Sequence, residues 1–291
     1  MEKFAATAIT LVSSQCSVAQ QMQFACSQAK HDLDLARAAA ARGMPTATFG
    51  KKNDIRIVGI HEYKEAALSL AEAFEVDELS RYFIDVPDRE HATEQEKWEL
   101  HLSIFEYIVY AHCLKGLVTT TGPGYAAVAL WLPPGDHIDD WATMLRSGMW
   151  RLRYKLSAEA RKRFFDEFLP LLHDTKVGVL GALDESSWYL VYVGTRPSGR
   201  GKGYAKKLIE QISSLCDEEG RAIYLESSNA INPAIYRKMG FEDRKRVYMQ
   251  RILDRNVELD IMVRMPKAAD EKVIIREKLP AASVKIHRLQ V

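Results

Sequence analysis

A chain of 291 residues with 47% hydrophobic and 27% charged side chains has the composition of an ordinary globular protein of one or two domains. Its 40 basic and 39 acidic residues nearly cancel, which argues against nucleic acid as the main partner. No apolar run approaches the ~20 residues of a membrane span, so we expect no membrane contact and a cytoplasmic location. The histidines and cysteines show no metal-like spacing, so no metal site is predicted; the cysteines are Cys16, Cys26, Cys113 and Cys216.

Residues 1–53 differ from the remainder and are expected to form a partly flexible helical extension. Residues 18–42 are rich in Ala and Gln, and Gly43 and Pro45 mark the end of the predicted helix. An extra docked helix and a partner-binding arm are both compatible with this segment. The main domain is predicted to span 54–266, followed by a tail over 267–291.

Hydrophobic periodicity predicts alternating strands and helices along the main domain. In its first part these are a strand at 55–60, helices at 62–74, 78–84 and 97–114, a hairpin of 117–120 with 125–132, and helices at 140–152 and 158–175. The second part has a strand from Trp188, a helix from Ala205, a strand at 222–227, a short helix from Asn232 and a closing hairpin of 246–251 with 258–264.

The most informative segment is WYLVYVGTRPSGRGKGYA at 188–205, in which a buried strand leads through a glycine-rich turn into a helix. Pro197 and Gly199 interrupt the strand. The start of the helix presents free backbone N–H groups and the positive end of its dipole. This turn is a candidate pyrophosphate site, because side chains at Gly201 and Gly203 would keep a phosphate away from the backbone. The alternative is an ordinary solvated turn before an amphipathic helix.

Basic side chains cluster around the same turn, with no acidic residue among them. They are Arg196, Arg200, Lys202, Lys206 and Lys207. Such a cluster suits a polyphosphate ligand. The spacing of the glycines fits neither the GxxxxGK[ST] pattern nor the GxGxxG pattern.

A second motif lies at 232–241, with the sequence NPAIYRKMGF. Asn232 is expected to cap a short helix, Pro233 to occupy its first position and Gly240 to end it in a left-handed conformation. These capping roles explain most of the motif without any function. They do not explain Tyr236.

Together the two segments resemble the GNAT superfamily of acetyl-CoA-dependent N-acetyltransferases. The family signature [Q/R]-x-x-G-x-[G/A] is met here by Arg200, Gly203 and Ala205. Its last helix has the pattern N-x-x-x-Y-x-x-x-G-F, which the segment at 232–241 matches. The two matches stand in the family's order along the chain.

The resemblance covers about residues 54–266 and implies an α/β (α+β) fold. The expected GNAT fold has a mixed, mostly antiparallel sheet of about six to seven strands flanked by helices. The segments at 127–135 and 188–194 are similar to those of puromycin N-acetyltransferase-like members and their fungal homologues. Such relatives often have His, Val and Gln where this chain has Ser187, Thr195 and Arg200.

The resemblance also implies a set of cofactor-binding residues. In the family a strand end pairs with the pantetheine arm of acetyl-CoA, and the turn amides hold its pyrophosphate. Carried onto this chain, the set comprises Val193, Gly194 and Thr195 on the strand, Arg200, Gly201, Lys202, Gly203, Tyr204 and Ala205 on the turn, and Asn232 beside the pantetheine arm. We further expect Gly194 to mark a bulge that separates its strand from the one at 222–227.

Two residues are candidates for the chemistry itself. The resemblance places the hydroxyl of Tyr236 near the cofactor sulfur, where it would protonate the departing thiolate. Glu226 shares a strand face with Tyr224 and is the first candidate for the base that takes the proton of the amine. A salt-bridged or solvent-facing Glu226 is the alternative, and Glu106 and His101 are further candidates for the base.

The sequence therefore predicts an enzyme, an acetyl-CoA-dependent N-acetyltransferase that acetylates a small-molecule amine by direct attack. A toxin, an antibiotic or a secondary metabolite would be such an acceptor. The helices at 140–175 favour a covered apolar pocket over the open acidic groove expected of a protein or peptide N-acetyltransferase. That rival stays open, as does a non-catalytic acyl-CoA-binding regulatory subunit that docks through residues 1–53. A monomer and a homodimer are both compatible with the sequence.

Overall fold

Seven strands form one sheet within the described residues, which are 54–252 and 256–267 of this computed structural model. In chain order they are β1 (Ile55–Ile57), β2 (Leu117–Thr121), β3 (Ala127–Leu132), β4 (Trp188–Thr195), β5 (Ile223–Ser227), β6 (Glu242–Met249) and β7 (Val257–Arg264). Across the sheet they lie in the order β1-β2-β3-β4-β5-β7-β6, and β4 with β5 is the one parallel pair among them. The predicted mixed, mostly antiparallel sheet is confirmed. The predicted N-terminal extension lies outside the described residues.

Helices flank both faces of the sheet. They are α1 (Tyr63–Ala73), α2 (Glu78–Ile84), α3 (Glu94–Lys115), α4 (Trp141–Ser147), α5 (Leu152–Lys155), α6 (Ala158–Arg161), α7 (Leu169–Leu180), α8 (Tyr204–Glu219) and α9 (Asn232–Arg237). A wider, π-helical turn at Lys162–Phe168 joins α6 to α7, so that residues 158–180 form one helical segment. The wide turn ends just before Pro170, which has no N–H to bond the carbonyl four residues earlier.

Capping groups set helix boundaries that periodicity alone misplaces. Helix α3 begins at Glu94 rather than at 97, because Thr93 and Glu96 form a capping box. In that box the Thr93 hydroxyl accepts from the Glu96 N–H at 3.2 Å, and the Glu96 carboxylate accepts from the Thr93 N–H at 2.8 Å. The helix predicted over 140–152 is interrupted at Gly148, whose φ of +80° is left-handed and ends α4.

Two hydrophobic cores lie on opposite faces of the sheet, as strand alternation requires. On β3, Val128 and Leu130 face the core formed with α1 and α3, whereas Ala129 and Trp131 face the core formed with α8. Helix α8 contributes the side chains of its apolar face, which include Leu208, Ile209, Ile212 and Cys216. Burial of each large apolar side chain of this kind stabilises the fold by about 1.5–3 kcal/mol.

Helix α1 packs directly on β4 at Gly194. A Cβ atom at this position would lie 2.8 Å from the Ala73 Cβ and 2.9 Å from the Leu70 Cδ2, so only glycine permits the approach. The predicted bulge at Gly194 is wrong, because Gly194 pairs in register with Val128. The register shift lies at Val191, which is the extra residue of β4 between its pairings with Leu130 and Trp131 of β3.

The parallel strands β4 and β5 stay together for only three residue pairs, from Trp188 with Ile223 to Leu190 with Leu225. Beyond that point β4 continues along β3 as far as Thr195, and β5 continues along β7 as far as Ser227. The predicted separation of the two strands is therefore confirmed, although its cause is not a bulge at Gly194. Within the described part of the chain, no strand pairs with the edge of β4 that this separation exposes.

Gly194→Ala is expected to destabilise the protein by about 1–3 kcal/mol, because α1 must move away from β4 to admit the methyl group. Gly178→Ala is the matched control, since a Cβ atom at this exposed position in α7 meets nothing within 4 Å. Alanine favours a helix over glycine, so the control should be neutral or stabilising by up to about 1 kcal/mol. Urea unfolding of both variants measures the difference, and equal effects would contradict the close contact.

Candidate active site

Two adjoining cavities open where β4 and β5 separate. The outer groove, of about 480 Å³, is lined by the glycine-rich turn at 199–206 and by the end of β4. The inner cavity, of about 250 Å³, lies between β4, β5 and the helical segment 158–180. Five residues line both spaces and mark the junction between them: Phe74, Asp77, Val193, Asn232 and Tyr236. A ligand in the groove and a ligand in the cavity would therefore meet at this junction.

The glycine-rich turn has the backbone geometry of an anion site. Gly201 and Gly203 have φ values of +77° and +74°, and the space in front of both is open, since a Cβ atom at either would meet nothing within 4 Å. Gly203 directly precedes α8, whose first-turn amides have no carbonyl four residues earlier within the helix. The start of this 16-residue helix faces the groove through Tyr204 and Ala205. Its dipole favours a negative charge there.

The basic cluster of the turn divides into groove residues and structural residues. Arg200 and Lys206 line the outer groove. Arg196 instead donates to both carboxylate oxygens of Glu72 at 2.6 Å, so it fastens the end of β4 to α1. Lys202 lies outside the groove lining, and its ammonium donates to the Ser198 carbonyl at 3.1 Å. The positive charge available to a ligand is therefore smaller than the sequence alone indicates.

Tyr236 stands at the junction because of the shape of α9. The short helix ends at Arg237, and the turn after it contains Gly240, whose φ is +89°; the Phe241 N–H returns to the Tyr236 carbonyl at 3.1 Å. The Tyr236 ring packs against Phe241 with 5.7 Å between ring centroids, and the residue is 8% exposed. Burial raises the pKa of Tyr236 to about 12, so its phenol keeps its proton at neutral pH.

Asn232 is the first residue of α9 rather than its cap. The turn before the helix is held instead by Asn229, whose Oδ1 accepts from the Ile231 N–H at 2.9 Å. The side chain of Asn232 is thereby left to line both the groove and the cavity. The cofactor-binding role of Asn232 stays a prediction, whereas the predicted capping role is wrong.

Glu226 lies on the inner cavity, one residue beyond the point where β5 leaves β4. Its Oε1 atom is buried and has no hydrogen-bond partner among the described residues. Burial raises the pKa of Glu226 to about 7, while the nearby phenols of Tyr189 and Tyr224 oppose that rise. A carboxylate of this kind can exchange a proton at neutral pH. The alternative candidates Glu106 and His101 are absent from the lining of the cavity.

Asp77 is a site residue that the sequence did not reveal. Its Oδ1 caps α2 by accepting from the N–H groups of Leu79 and Ser80 at 3.1 and 3.2 Å. Its Oδ2 accepts from the Ser228 hydroxyl at 2.7 Å. Burial raises the pKa of Asp77, and these three hydrogen bonds oppose the rise. The sequence signal at this position was an ordinary N-cap, because the contact with Ser228 joins residues that are 151 positions apart.

The remaining walls of the inner cavity are mainly apolar. Helical segment 158–180 supplies Phe164, Phe168, Leu169 and Leu172. Within the described ranges, no cluster of three or more His, Cys, Asp or Glu residues could hold a metal ion. None of the helices in those ranges is long and apolar enough to cross a membrane. The lining of the inner cavity is therefore mainly apolar, and the polar residues in it, apart from those at the junction, are Ser80, Tyr189, Tyr192, Glu226, Ser227 and Ser228.

Glu226→Gln is expected to make stability less dependent on pH. The folded protein keeps a proton on Glu226 up to about pH 7, whereas an unfolded glutamate releases it near ~4.3. The proton held by folded Glu226 stabilises the wild type at low pH, and this stabilisation is lost as pH rises from ~4.3 to about 7. The variant has no such stabilisation to lose. Urea unfolding should show a gain in the variant that is small at pH 5 and larger at pH 8.

The exposed Glu218 on α8 provides the control for this experiment, as Glu218→Gln leaves the site untouched. The same stability difference for Glu226→Gln at both pH values would contradict a buried carboxylate with a raised pKa.

Comparisons with known proteins identify the family. A model of the acetyltransferase (GNAT) domain matches residues 166–243. An uncharacterized N-acetyltransferase of Schizosaccharomyces pombe is 48% identical over 207 residues, which cover 71% of this chain and 81% of that protein. Arylalkylamine N-acetyltransferase 2 from Aedes aegypti is 20% identical, with 74% of this chain and 100% of that chain covered and a TM-score of 0.47. The polyamine N-acetyltransferase of Drosophila melanogaster is 14% identical, with coverages of 72% and 98% and a TM-score of 0.45. Given the extent and identity of the S. pombe match, this chain belongs to the GNAT acetyltransferases and is an acyltransferase enzyme of the N-acetyltransferase type.

Proposed function

We propose that this protein transfers an acetyl group from acetyl-CoA to the amine of a small molecule by direct attack. The observation that carries the proposal is the junction at Tyr236, where a groove suited to a polyphosphate meets a mainly apolar cavity. Direct attack requires the two reactants to be held together at one place. We expect the enzyme to act in the cytoplasm as a monomer or a homodimer, as inferred from the sequence.

The outer groove has the features that an acetyl-CoA site requires. The edge of β4 at Val193–Thr195 has lost its strand partner, so its main-chain groups can pair with the amides of a pantetheine arm. The amides from Arg200 to Ala205 can hold the pyrophosphate, with Arg200 and Lys206 beside it. Asn232 stands at the junction, where this groove meets the inner cavity. Of the predicted cofactor residues, Lys202 alone lies away from the groove, and it would contribute only long-range charge.

At the junction, the protein must take two protons from the nitrogen, one before the attack and one as the amide forms, and supply one to the departing sulfur. An alkyl amine has a pKa near ~10, so it arrives as an ammonium ion and must lose a proton before it can attack. We propose that Glu226, whose pKa is about 7, takes this proton. Acetyl-CoA supplies the activated acetyl thioester. Main-chain N–H groups of β4 near Val193 would polarise its carbonyl, and Tyr236 would donate its phenolic proton to the departing sulfur. The nitrogen loses its second proton as the amide forms, and that proton would restore the phenol of Tyr236.

The dimensions of the inner cavity support a small acceptor. A volume of about 250 Å³ suits a compact molecule, and the helical segment 158–180 forms one of its walls. A protein or peptide acceptor would need an open groove in which main-chain groups could bind. A non-catalytic acyl-CoA-binding subunit would retain the outer groove without using the proton-transfer groups of the inner cavity.

Tyr236→Phe is expected to lower kcat by about 10²-fold or more, because the departing sulfur loses its proton donor. The affinity for acetyl-CoA should change by less than about twofold, since the ring and its packing on Phe241 are retained. The assay is the release of CoA thiol over a panel of aryl and alkyl amines, polyamines, amino sugars and peptides. Tyr248→Phe is the control, since Tyr248 lies on β6 outside both cavities.

Glu226→Gln in the same assay should abolish the rise of kcat/KM with pH through about 7. Peptides accepted in preference to small amines would support the rival acceptor class. Binding of acetyl-CoA without thiol release on any acceptor would contradict the proposed catalysis, and unchanged turnover of Tyr236→Phe would remove Tyr236 from the acid role.

Gly203→Ala is expected to weaken acetyl-CoA binding by about tenfold or more, because strain at φ +74° shifts the amides that face the pyrophosphate. Gly220→Ala provides a matched control at the other end of α8. It has a similar φ of +67° and equally open surroundings, so both variants should lose similar stability. Isothermal titration compares the affinities of the two variants for acetyl-CoA. Equal affinities of Gly203→Ala and Gly220→Ala would contradict the pyrophosphate site.

A further inference from the structure

We propose that Asp77 binds the ammonium group of the acceptor at the junction, and that the acceptor is a cationic amine carried on an apolar body. The inference rests on the proposed function, to which it adds a substrate-binding residue and a substrate class. The argument starts from the place where the two cavities meet.

Asp77 is the one carboxylate that lines both cavities. The other four residues of the junction are Phe74, Val193, Asn232 and Tyr236, none of which carries a negative charge at neutral pH. Attack on an acetyl group in the groove requires the nitrogen of the acceptor to come within about 3–3.5 Å of the acyl carbon. The nitrogen must therefore stand at the junction, beside Asp77, before and during the reaction.

Hydrogen bonds hold the Asp77 carboxylate in place and leave it one free acceptor position. A carboxylate has about four lone-pair sites, two on each oxygen. Oδ1 accepts from the N–H groups of Leu79 and Ser80, which occupies both of its sites. Oδ2 accepts from Ser228 and keeps one site for a further donor. An ammonium N–H at the junction is the donor that this position fits.

The charge of Asp77 has no counter-ion within the described residues. Its hydrogen bonds come from neutral donors, and no Lys, Arg or His of those residues forms an ion pair with it. Glu226 lines the same inner cavity, and the pKa of Tyr192 there is raised by burial and further by both carboxylates. Glu226 has a pKa of about 7, so the fixed negative charge at this place is that of Asp77, and a bound cation would balance it.

The two acids then have different tasks. Asp77 is fixed by three hydrogen bonds and holds the ammonium, whereas Glu226 has an unpartnered Oε1 and takes the proton. One N–H bond of the ammonium breaks, its proton passes to Glu226, and the nitrogen keeps the electron pair with which it attacks. Asp77 touches the substrate throughout this step and gains no proton.

The walls beyond the junction select the remainder of the acceptor. Ile108, Met149, Phe164, Phe168 and Leu172 present apolar surface to the inner cavity. An aromatic or aliphatic body gains about 25 cal/mol for each Å² that these walls remove from water. A sugar ring would lose the hydration of those hydroxyl groups that face these apolar walls. The structure thus favours apolar amines over amino sugars.

The test uses Asp77→Asn in the full chain, with 2-phenylethylamine as the apolar amine and glucosamine as the polar one. Asparagine caps helices as well as aspartate does, so α2 should be retained while the charge is lost. We expect KM for 2-phenylethylamine to rise about 10- to 100-fold, with kcat changed by less than about threefold. Wild-type kcat/KM should be higher for 2-phenylethylamine than for glucosamine by at least about tenfold.

Two controls separate charge from packing. Asp140→Asn makes the same change at the N-cap of α4, outside both cavities, and should leave KM unaltered. The neutral isostere 2-phenylethanol should bind wild type and Asp77→Asn equally, because it presents no ammonium. These affinities are measured by titration with CoA present, so that they do not depend on turnover.

The outcomes distinguish this inference from the proposed function. An unchanged affinity of Asp77→Asn for 2-phenylethylamine, or an equal loss for the amine and the alcohol, would overturn the ammonium site while the enzyme activity stands. A preference for glucosamine would overturn the apolar acceptor. If wild type binds acetyl-CoA but acetylates no amine, the proposed function fails, and the titrations still decide whether Asp77 recognises an ammonium ion.

Discussion

The separation of β4 from β5 is the constraint on which the whole site depends. Neighbouring strands ordinarily lie about 4.7–4.9 Å apart and leave no room for a ligand between them. In this protein the pairing stops after Leu190 and Leu225, because each strand continues along a different neighbour. A cleft with unpaired main-chain groups therefore opens in the middle of the sheet. The outer groove and the inner cavity both extend from that cleft.

Packing on both faces of the sheet holds the cleft in its shape. Gly194 lets α1 lie directly on β4, and Arg196 fastens the end of the strand to Glu72 of α1 with two hydrogen bonds of 2.6 Å. A partly exposed ion pair of this kind contributes about 0–1 kcal/mol, so its main effect is on geometry. On the opposite face α8 buries Leu208 and Ile212 against the sheet and directs its first turn into the groove. The position of the candidate anion site is thus a consequence of core packing.

Burial raises the pKa values of Tyr236, Glu226 and Asp77. The hydrogen bonds of the three groups differ, so the groups suit different tasks. Tyr236 is shifted by burial alone and stays protonated. Glu226 has an Oε1 without a partner and a pKa of about 7, which suits proton exchange. Asp77 accepts three hydrogen bonds, which favour its charged form against burial. The same cavity can therefore supply a proton donor, a proton acceptor and a fixed negative charge.

The sequence by itself determined the features that short segments encode. Backbone conformation and periodicity over a few residues account for the glycine turn before α8, the apolar stripe of that helix and the left-handed Gly240 in the turn after α9. Only the tertiary structure decided which groups these segments meet. The hydrogen bond between Ser228 and Asp77 and the ion pair between Arg196 and Glu72 join residues far apart in the chain. The same is true of the cavity, whose wall at 158–180 faces strands β4 and β5. Local spacing carries no record of such contacts, because they arise only when the helices pack on the sheet.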